Sequence, residues 1–314
     1  MNDPIHAHKT TVEEYENMEN EKKLPAVTTE EKTFGRRNLL KGAGLAGFGF
    51  ASATLLAGRL GMMDKLSAAI PGLKVPSVHA QSIDDADILN FALNLEYLEA
   101  EFYTVATTGK TIEKLGIGVS GTGNSGPTTG GERVDLEIGS AFPRRLHAVA
   151  LEIANNEQRH VQLLRSALGS YAVAKPAINL DALGIGFANF RQFLKLSRAF
   201  EDTGVSAYAG AAPLISSKAY LGVAAQILAT EAYHAGNIRV MISENDVETT
   251  KTDSEDVLPP PSGTHYFTTD ANGLALVRDP GQVLAIVYGN ATTGTTAGGF
   301  FPNGVNGILN TVSS

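Results

Sequence analysis

No cysteine and no tryptophan occur in this chain of 314 residues. The missing thiols exclude disulfides, thiolate zinc sites, iron–sulfur clusters and cysteine nucleophiles together. Cationic charge is scarce too: 25 Lys and Arg stand against 33 Asp and Glu, a net charge of −8. That balance argues against a nucleic-acid partner, which needs a basic footprint to neutralise phosphates. Aromatic residues make up 7% of the chain, and mean hydropathy is near zero, the composition of a soluble globular protein rather than a membrane bundle. Length is not lacking, and it suffices for one large domain or two small ones whose core needs no covalent staples.

Residues 1–33 are polar and without apolar period, with Glu13, Glu14, Glu16, Glu19 and Glu21 among them; such a segment reads as disordered. Phe34-Gly35-Arg36-Arg37-Asn38-Leu39-Leu40-Lys41 follows, and then seventeen uncharged residues from Gly42 to Gly58. Paired arginines ahead of a mild apolar stretch resemble a twin-arginine export signal. Val78-His79-Ala80 offers a cleavage site before Gln81. An uncleaved membrane anchor or a buried helix is the competing reading, disfavoured by Lys41 and Arg59 closing so short a stretch. The expectation is therefore a protein exported by the twin-arginine machinery to the periplasm or beyond, membrane-anchored if the signal stays uncleaved. Residues 1–80 are read as the address, 81–250 as the main domain and 251–314 as an extension. Residues 81–314 carry nine net negative charges. Twin-arginine substrates cross folded, so a metal could be loaded before export.

Beyond the address the apolar period is helical, and the chain is predicted to be all-α. Ser82-Ile83-Asp84-Asp85 reads as a capping box opening a helix over about 83–107, with Ile88, Ala92, Leu95, Phe102 and Tyr103 on its apolar stripe. Residues 108–142 are rich in Gly, Thr and Ser, a long loop of the functional or mobile kind. A second helix spans about 143–170, a third about 187–211 ending at Pro213, and a fourth about 217–243. Two tight pairs joined by a longer crossover make a four-helix bundle. From Asp256 the composition changes, and Pro259-Pro260-Pro261 marks a stiff linker. One short helix is credible there, with Asp279 as N-cap, Pro280 at N1 and Gly289 past its end.

The chemistry falls on the core stripes. Glu157-Gln158-Arg159-His160 and Glu231-Ala232-Tyr233-His234 are both Glu-x-x-His, and three residues turn a helix by about 300°, so each Glu and His share a face. Residues 81–314 hold four histidines, and composition alone would give both pairs at roughly 2%. A single pair would read as a satisfied core histidine or a surface ion pair; two pairs on apolar stripes do not. Glu201 follows Phe200 on the third helix. Leu95-Glu96 and Phe200-Glu201 are each followed by a tyrosine seven residues after the Glu, Tyr103 and Tyr208. That internal match makes Glu96 the partner of Glu201, with Glu99 a rival or outer neighbour and Glu101, about 140° from Glu96, solvated. Tyr103 and Tyr208 read as core aromatics, or else as donors to the cluster. His147 and His265 read as structural or surface residues, and Gly121–Gly126 lacks the ending of a phosphate loop. Four carboxylates in a dry core call for positive charge, which two divalent cations would match. Oxygen donors with one imidazole per ion suit iron or manganese.

One Glu from each of two helices, with Glu-x-x-His from the other two, resembles the ferritin-like superfamily of ferritins, rubrerythrins and manganese catalases. Leu95-Glu96-Tyr97-Leu98-Glu99-Ala100, Gln282–Tyr288 and Gly298-Gly299-Phe300-Phe301-Pro302-Asn303-Gly304 look more narrowly like the ferritin-like desiccation-related proteins. The resemblance implies Glu96, Glu157, His160, Glu201, Glu231 and His234 as ligands of two Fe or Mn ions, with Glu157 and Glu231 bridging. The long loop and the added tail depart from ferritin and count against cage assembly and bulk iron storage; a smaller homo-oligomer stays open. Three functions are weighed: a dimetal oxidoreductase acting on dioxygen or peroxide under oxidative or drying stress; a non-catalytic, metal-stabilised desiccation protein; and a metal-free binding module. Catalase-like and ferroxidase-like turnover would use the same ligands.

Overall fold

The computed structural model describes residues 83–136 and 141–313. The export signal and its cleavage site, and Ser82, lie outside these residues. Four long helices dominate: α1 (Asp85–Thr108), α2 (Ala141–Leu168), α3 (Phe190–Ala211) and α4 (Lys218–Glu244). A short α5 (Pro280–Val287) follows in the tail. α1 packs along α2 and α3 along α4, giving the two pairs of a bundle. Among the described residues no helix is long and apolar enough to cross a membrane.

The N-terminal capping box of α1 lies two residues later than predicted. Asp84 is the N-cap, its side chain accepting from Asp87 N, while the Asp87 carboxylate accepts from Asp84 N. Asp85 is left free to accept from Ser216 N and Ser217 N at 2.7 and 2.8 Å, tying this end of α1 to the start of α4. α3 starts at Phe190, three residues after the predicted start, because Asn189 caps it, its side chain accepting from both Arg191 N and Gln192 N. Asp279 and Gln282 form the capping box of α5, with Pro280 at N1 and Gly289 beyond the end, as expected.

α1 is buried nearly all round, from Ile88 to Thr107, because it is covered on the side away from the bundle. The cover comes from the segment after α1, from residues 172–180 and from the tail. The segment after α1 is docked: Thr122 N donates to Ala172 O, Ala174 N to Thr122 O and Gly126 N to Lys175 O. A two-residue parallel pairing of β1 (Thr128–Thr129) with β2 (Ile178–Asn179) extends this seam. Gly121 is required by the close approach, since a Cβ there would lie 2.3 Å from Ala172 O. Asn306 of the tail joins all three covers: it donates to Asn124 O and Ala174 O, and its backbone exchanges two hydrogen bonds with the Asn94 side chain.

Glu101 corrects the sequence reading. It does face away from Glu96, but the cover buries it completely, and it pairs at 3.2 Å with Lys175, itself 1% exposed. Lys175 also reaches Glu113 at 3.0 Å and Thr128 Oγ1 at 2.7 Å.

A second buried charge network clamps residues 249–268 to the bundle. Arg198 of α3 donates to both oxygens of Asp256 and to Asp202, and Arg239 of α4 donates to Asp202 at 2.7 Å and to the carbonyls of Val257, His265 and Tyr266. Two arginines and two aspartates cancel, which is the condition for burying them. Phe102 stacks on Phe193 (5.3 Å between centroids) and meets Phe200 edge-on, and Phe200 in turn meets Phe300 of the tail at 4.9 Å. Such pairs add about 0.5–1.5 kcal/mol each beyond their burial. The tail is therefore part of the bundle's packing on the α3 side.

Candidate metal centre

Each long helix delivers its predicted residue to one point in the core. Glu96, Glu157, His160 and Glu231 bring donor atoms within 4.8 Å of one another, and so do Glu157, Glu201, Glu231 and His234. The two sets share Glu157 and Glu231. All four of these glutamates are fully buried, and the histidines are 7% and 6% exposed. Glu99 is buried beside them but belongs to neither set.

Both imidazoles present Nδ1. His160 Nδ1 lies 3.0 Å from Glu157, 3.2 Å from Glu96 and 3.4 Å from Glu231. His234 Nδ1 lies 3.1 Å from Glu157 and 3.3 Å from Glu201. A shift of 105 residues carries Glu96 and Tyr103 of α1 onto Glu201 and Tyr208 of α3, and 74 carries the Glu-His pair of α2 onto that of α4. The site follows this pseudo-twofold relation. His160 meets Glu96 as His234 meets Glu201; Tyr208 Oη donates to Glu96 Oε1 at 2.5 Å, and Tyr103 sits on the Glu201 side, its phenol pushed up by burial and by the Glu201 charge.

The relation breaks at one position. Glu99 of α1 corresponds to Gly204 of α3. A Cβ at Gly204 would lie 2.8 Å from Glu231 Oε2 and 3.2 Å from Glu99 Oε1, so only glycine leaves both carboxylates where they are. A glycine inside a helix costs about 1 kcal/mol relative to alanine, and that cost was the signal for Gly204 in the sequence. Asn156, whose side-chain amide sits 3.1 Å from His234 Nε2, gave no such signal.

The residues fit metal ions by their unmet bonding. Both oxygens of Glu201 and of Glu231, Glu157 Oε1 and His234 Nδ1 are buried without any hydrogen-bond partner, a costly state for polar atoms in a dry core. Their charges make the same demand. Burial pushes Glu96 up to about 7 against the pull of His160, and lifts Glu231 further, with the Glu157 charge adding to it. Burial alone would lower His234, yet Glu201 and Glu157 hold it at about 11, and Glu96, Glu157 and Glu231 raise His160 as well. Glu157, despite its burial, is drawn down to about 2 by the two histidines beside it. Without ions, the cluster gathers protons on its histidines in place of metal charge. Oxygen and imidazole donors without sulfur make a site that could hold metal ions of the first transition row.

A model of the ferritin-like domain matches residues 84–244, the span of α1 to α4. The chain belongs to the ferritin-like family. It is 22% identical over 285 residues to the ferritin-like catalase Nec2 of Nesocodon mauritianus, covering 74% of this chain and 88% of that protein. It is 28% identical over 177 residues to the desiccation-related protein PCC13-62 of Craterostigma plantagineum, covering 51% of this chain and 53% of that protein. The chain thus spans about half of the desiccation-related relative. Within the ferritin-like bundle, a recess of about 170 Å³ between α2 and α4 is lined by Asn156, Thr230, Tyr233, His234 and Asn237. It offers room for a few water-sized molecules beside His234.

Proposed function

We propose that this protein holds two Fe or Mn ions between Glu96, Glu157, His160, Glu201, Glu231 and His234 and consumes hydrogen peroxide, as an exported protector against oxidative or drying stress. One observation carries the reading: two four-donor sets, each with one imidazole, share Glu157 and Glu231, the arrangement that lets two carboxylates span a pair of ions. The likeness to a protein named a catalase, along most of that protein's length, favours peroxide over dioxygen as the substrate.

A redox-active ion pair would supply two-electron exchange with the O–O bond, so that one peroxide is reduced to water while another is oxidised to dioxygen. The chain's own residues then have three tasks. Tyr208 Oη fixes the orientation of Glu96, and Asn156 that of the His234 ring. The recess at His234 has room for peroxide-sized molecules beside the cluster. Glu99, buried beside the six residues but in neither donor set, is the remaining carboxyl of the core, and its task is proton exchange as peroxide is reduced to water.

The test is metal analysis of the exported protein with peroxide loss and dioxygen release measured together. Wild type should carry Fe or Mn at more than about 0.3 per chain, and Glu157→Ala should lose at least about a hundredfold in peroxide consumption. Equal rates would remove the enzymatic reading. They would leave the second one, a non-catalytic metal-stabilised protein, favoured by the likeness to a desiccation-related protein.

A further inference from the structure

Beside α3, a cavity of about 420 Å³ lies among the loop at Leu183 and Ile185, residues 249–252, the end of α5 and Phe300. None of the six clustered Glu and His side chains lines it. Its volume falls in the range of small-molecule sites, about 300–1,000 Å³. Apolar side chains form most of the wall: Leu196, Phe200, Ile286 and Phe300 inside, with Leu183, 45% exposed, at the edge.

The uncompensated charge on the wall has one sign, that of its two lysines. Lys195, Arg198 and Lys251 line the cavity, and no Asp or Glu does, although the described part of the chain is strongly acidic. Neither lysine has an ion-pair partner among the described residues. Arg198 directs its Nη atoms to Asp202, Asp256 and the Thr250 carbonyl, but its Nε is buried without a partner, and so is Thr249 Oγ1 on the same wall. Gly289 and Asn290 turn the chain after α5 in the left-handed region, φ 83° and 62°, and bring an exposed amide to the rim. Spare donors and uncompensated lysines around an apolar hollow match a ligand with an anionic head and an apolar body.

We propose that this cavity binds a small amphiphilic carboxylate, its acid group toward Lys195 and Lys251 and its apolar part against Phe200, Ile286 and Phe300. The site is separate from the Glu-His cluster, although Phe200 on its wall precedes Glu201 of that cluster on α3.

Calorimetric titration of the metal-bearing protein with octanoate tests this, with octanamide and acetate as controls for charge and for apolar body. Octanoate should saturate one site per chain and bind at least tenfold more tightly than either control. The K195Q/K251Q double variant should weaken octanoate by roughly tenfold, and Ala199→Trp, which fills the cavity, should abolish binding with metal content unchanged. Octanamide binding as tightly as octanoate, an unchanged affinity in K195Q/K251Q, or the absence of saturation would overturn the proposal. Binding that survives Ala199→Trp would place the carboxylate elsewhere and overturn it equally. Lys251 is exposed and Lys195 partly so, and neither has an ion-pair partner to lose among the described residues, so their double variant gives a reading even where Ala199→Trp does not fold.

Discussion

Tyr208 Oη donates to Glu96 Oε1 at 2.5 Å, a bond between α3 and α1 with both partners buried. It holds the carboxylate whose other oxygen faces His160. A hydrogen bond to a buried charged group contributes about 1.5–3 kcal/mol. Removing an orienting partner typically weakens metal binding by about 10–100-fold. Tyr208→Phe should therefore keep the fold, melt several degrees lower, and release metal to a chelator at about 10–100 times lower chelator concentration than wild type. Thermal melting and competitive chelation measure the two effects separately. An unchanged chelation curve would show that Glu96 needs no outside support.

Gly204 makes the opposite kind of demand, for the absence of a side chain. On an open helix face Gly204→Ala would stabilise by about 1 kcal/mol. Here the added methyl meets Glu231 Oε2 at 2.8 Å and Glu99 Oε1 at 3.2 Å. The expected outcome is a helix content like that of wild type with metal content reduced at least about tenfold. Circular dichroism with elemental analysis checks it; full metal loading in Gly204→Ala would contradict the tight fit.

How much of this was legible in advance depended on the range of the interaction. Glu157 with His160, and Glu231 with His234, are one helical turn apart, so their shared face is a matter of spacing alone. The choice of Glu96 over Glu99 needed only the internal match to Glu201, and the structure places Glu96 in a four-donor set and Glu99 beside it. Helix starts shifted by up to three residues, to where Asp84 and Asn189 cap the first backbone donors. Glu101 was misread for a different reason. Its angle on α1 was right, but a helix angle cannot say what lies opposite, and Lys175 comes from 74 residues away through an irregular segment. The clamp of Arg198 on Asp256 and the contact of Asn156 with His234 are long-range in the same way.

The cluster's protonation sets the pH response of the metal-free protein. Glu96 rises from 4.5 to about 7 and His234 from 6.5 to about 11 on folding. Groups raised in this way stabilise fully below their unfolded values, and that stabilisation is lost as pH rises through the folded ones. Glu157, lowered to about 2, works in reverse, but its contribution fades only as pH falls from 4.5 toward 2. From pH 5 to 9 the chelated protein should thus melt at progressively lower temperature. Metal binding must displace the same protons, so the stabilisation by added Fe or Mn should grow over that range. Melting curves at pH 6 and pH 8.5, with chelator and with metal, test both halves. A chelated protein that gains stability toward pH 8.5 would contradict the assignment.

Lys175 tests whether the long segment after α1 is held by charge. Its ammonium touches Glu101 at 3.2 Å, Glu113 at 3.0 Å and Thr128 Oγ1 at 2.7 Å, and Glu101 is wholly buried. Burial already pushes Glu101 up to about 7 against the pull of Lys175. Lys175→Met leaves that carboxyl with no cation, and breaking a buried pair from one side costs about 3–5 kcal/mol. Replacing both partners is far milder, so K175M/E101Q should recover at least half of the loss. Denaturant unfolding gives both values, and limited proteolysis should cut residues 109–136 faster in Lys175→Met. Because Glu101 faces away from Glu96, metal content should hold in both variants as long as the protein is folded. Loss of metal from folded Lys175→Met would mean that this cover, and not the bundle alone, sets the geometry of the centre.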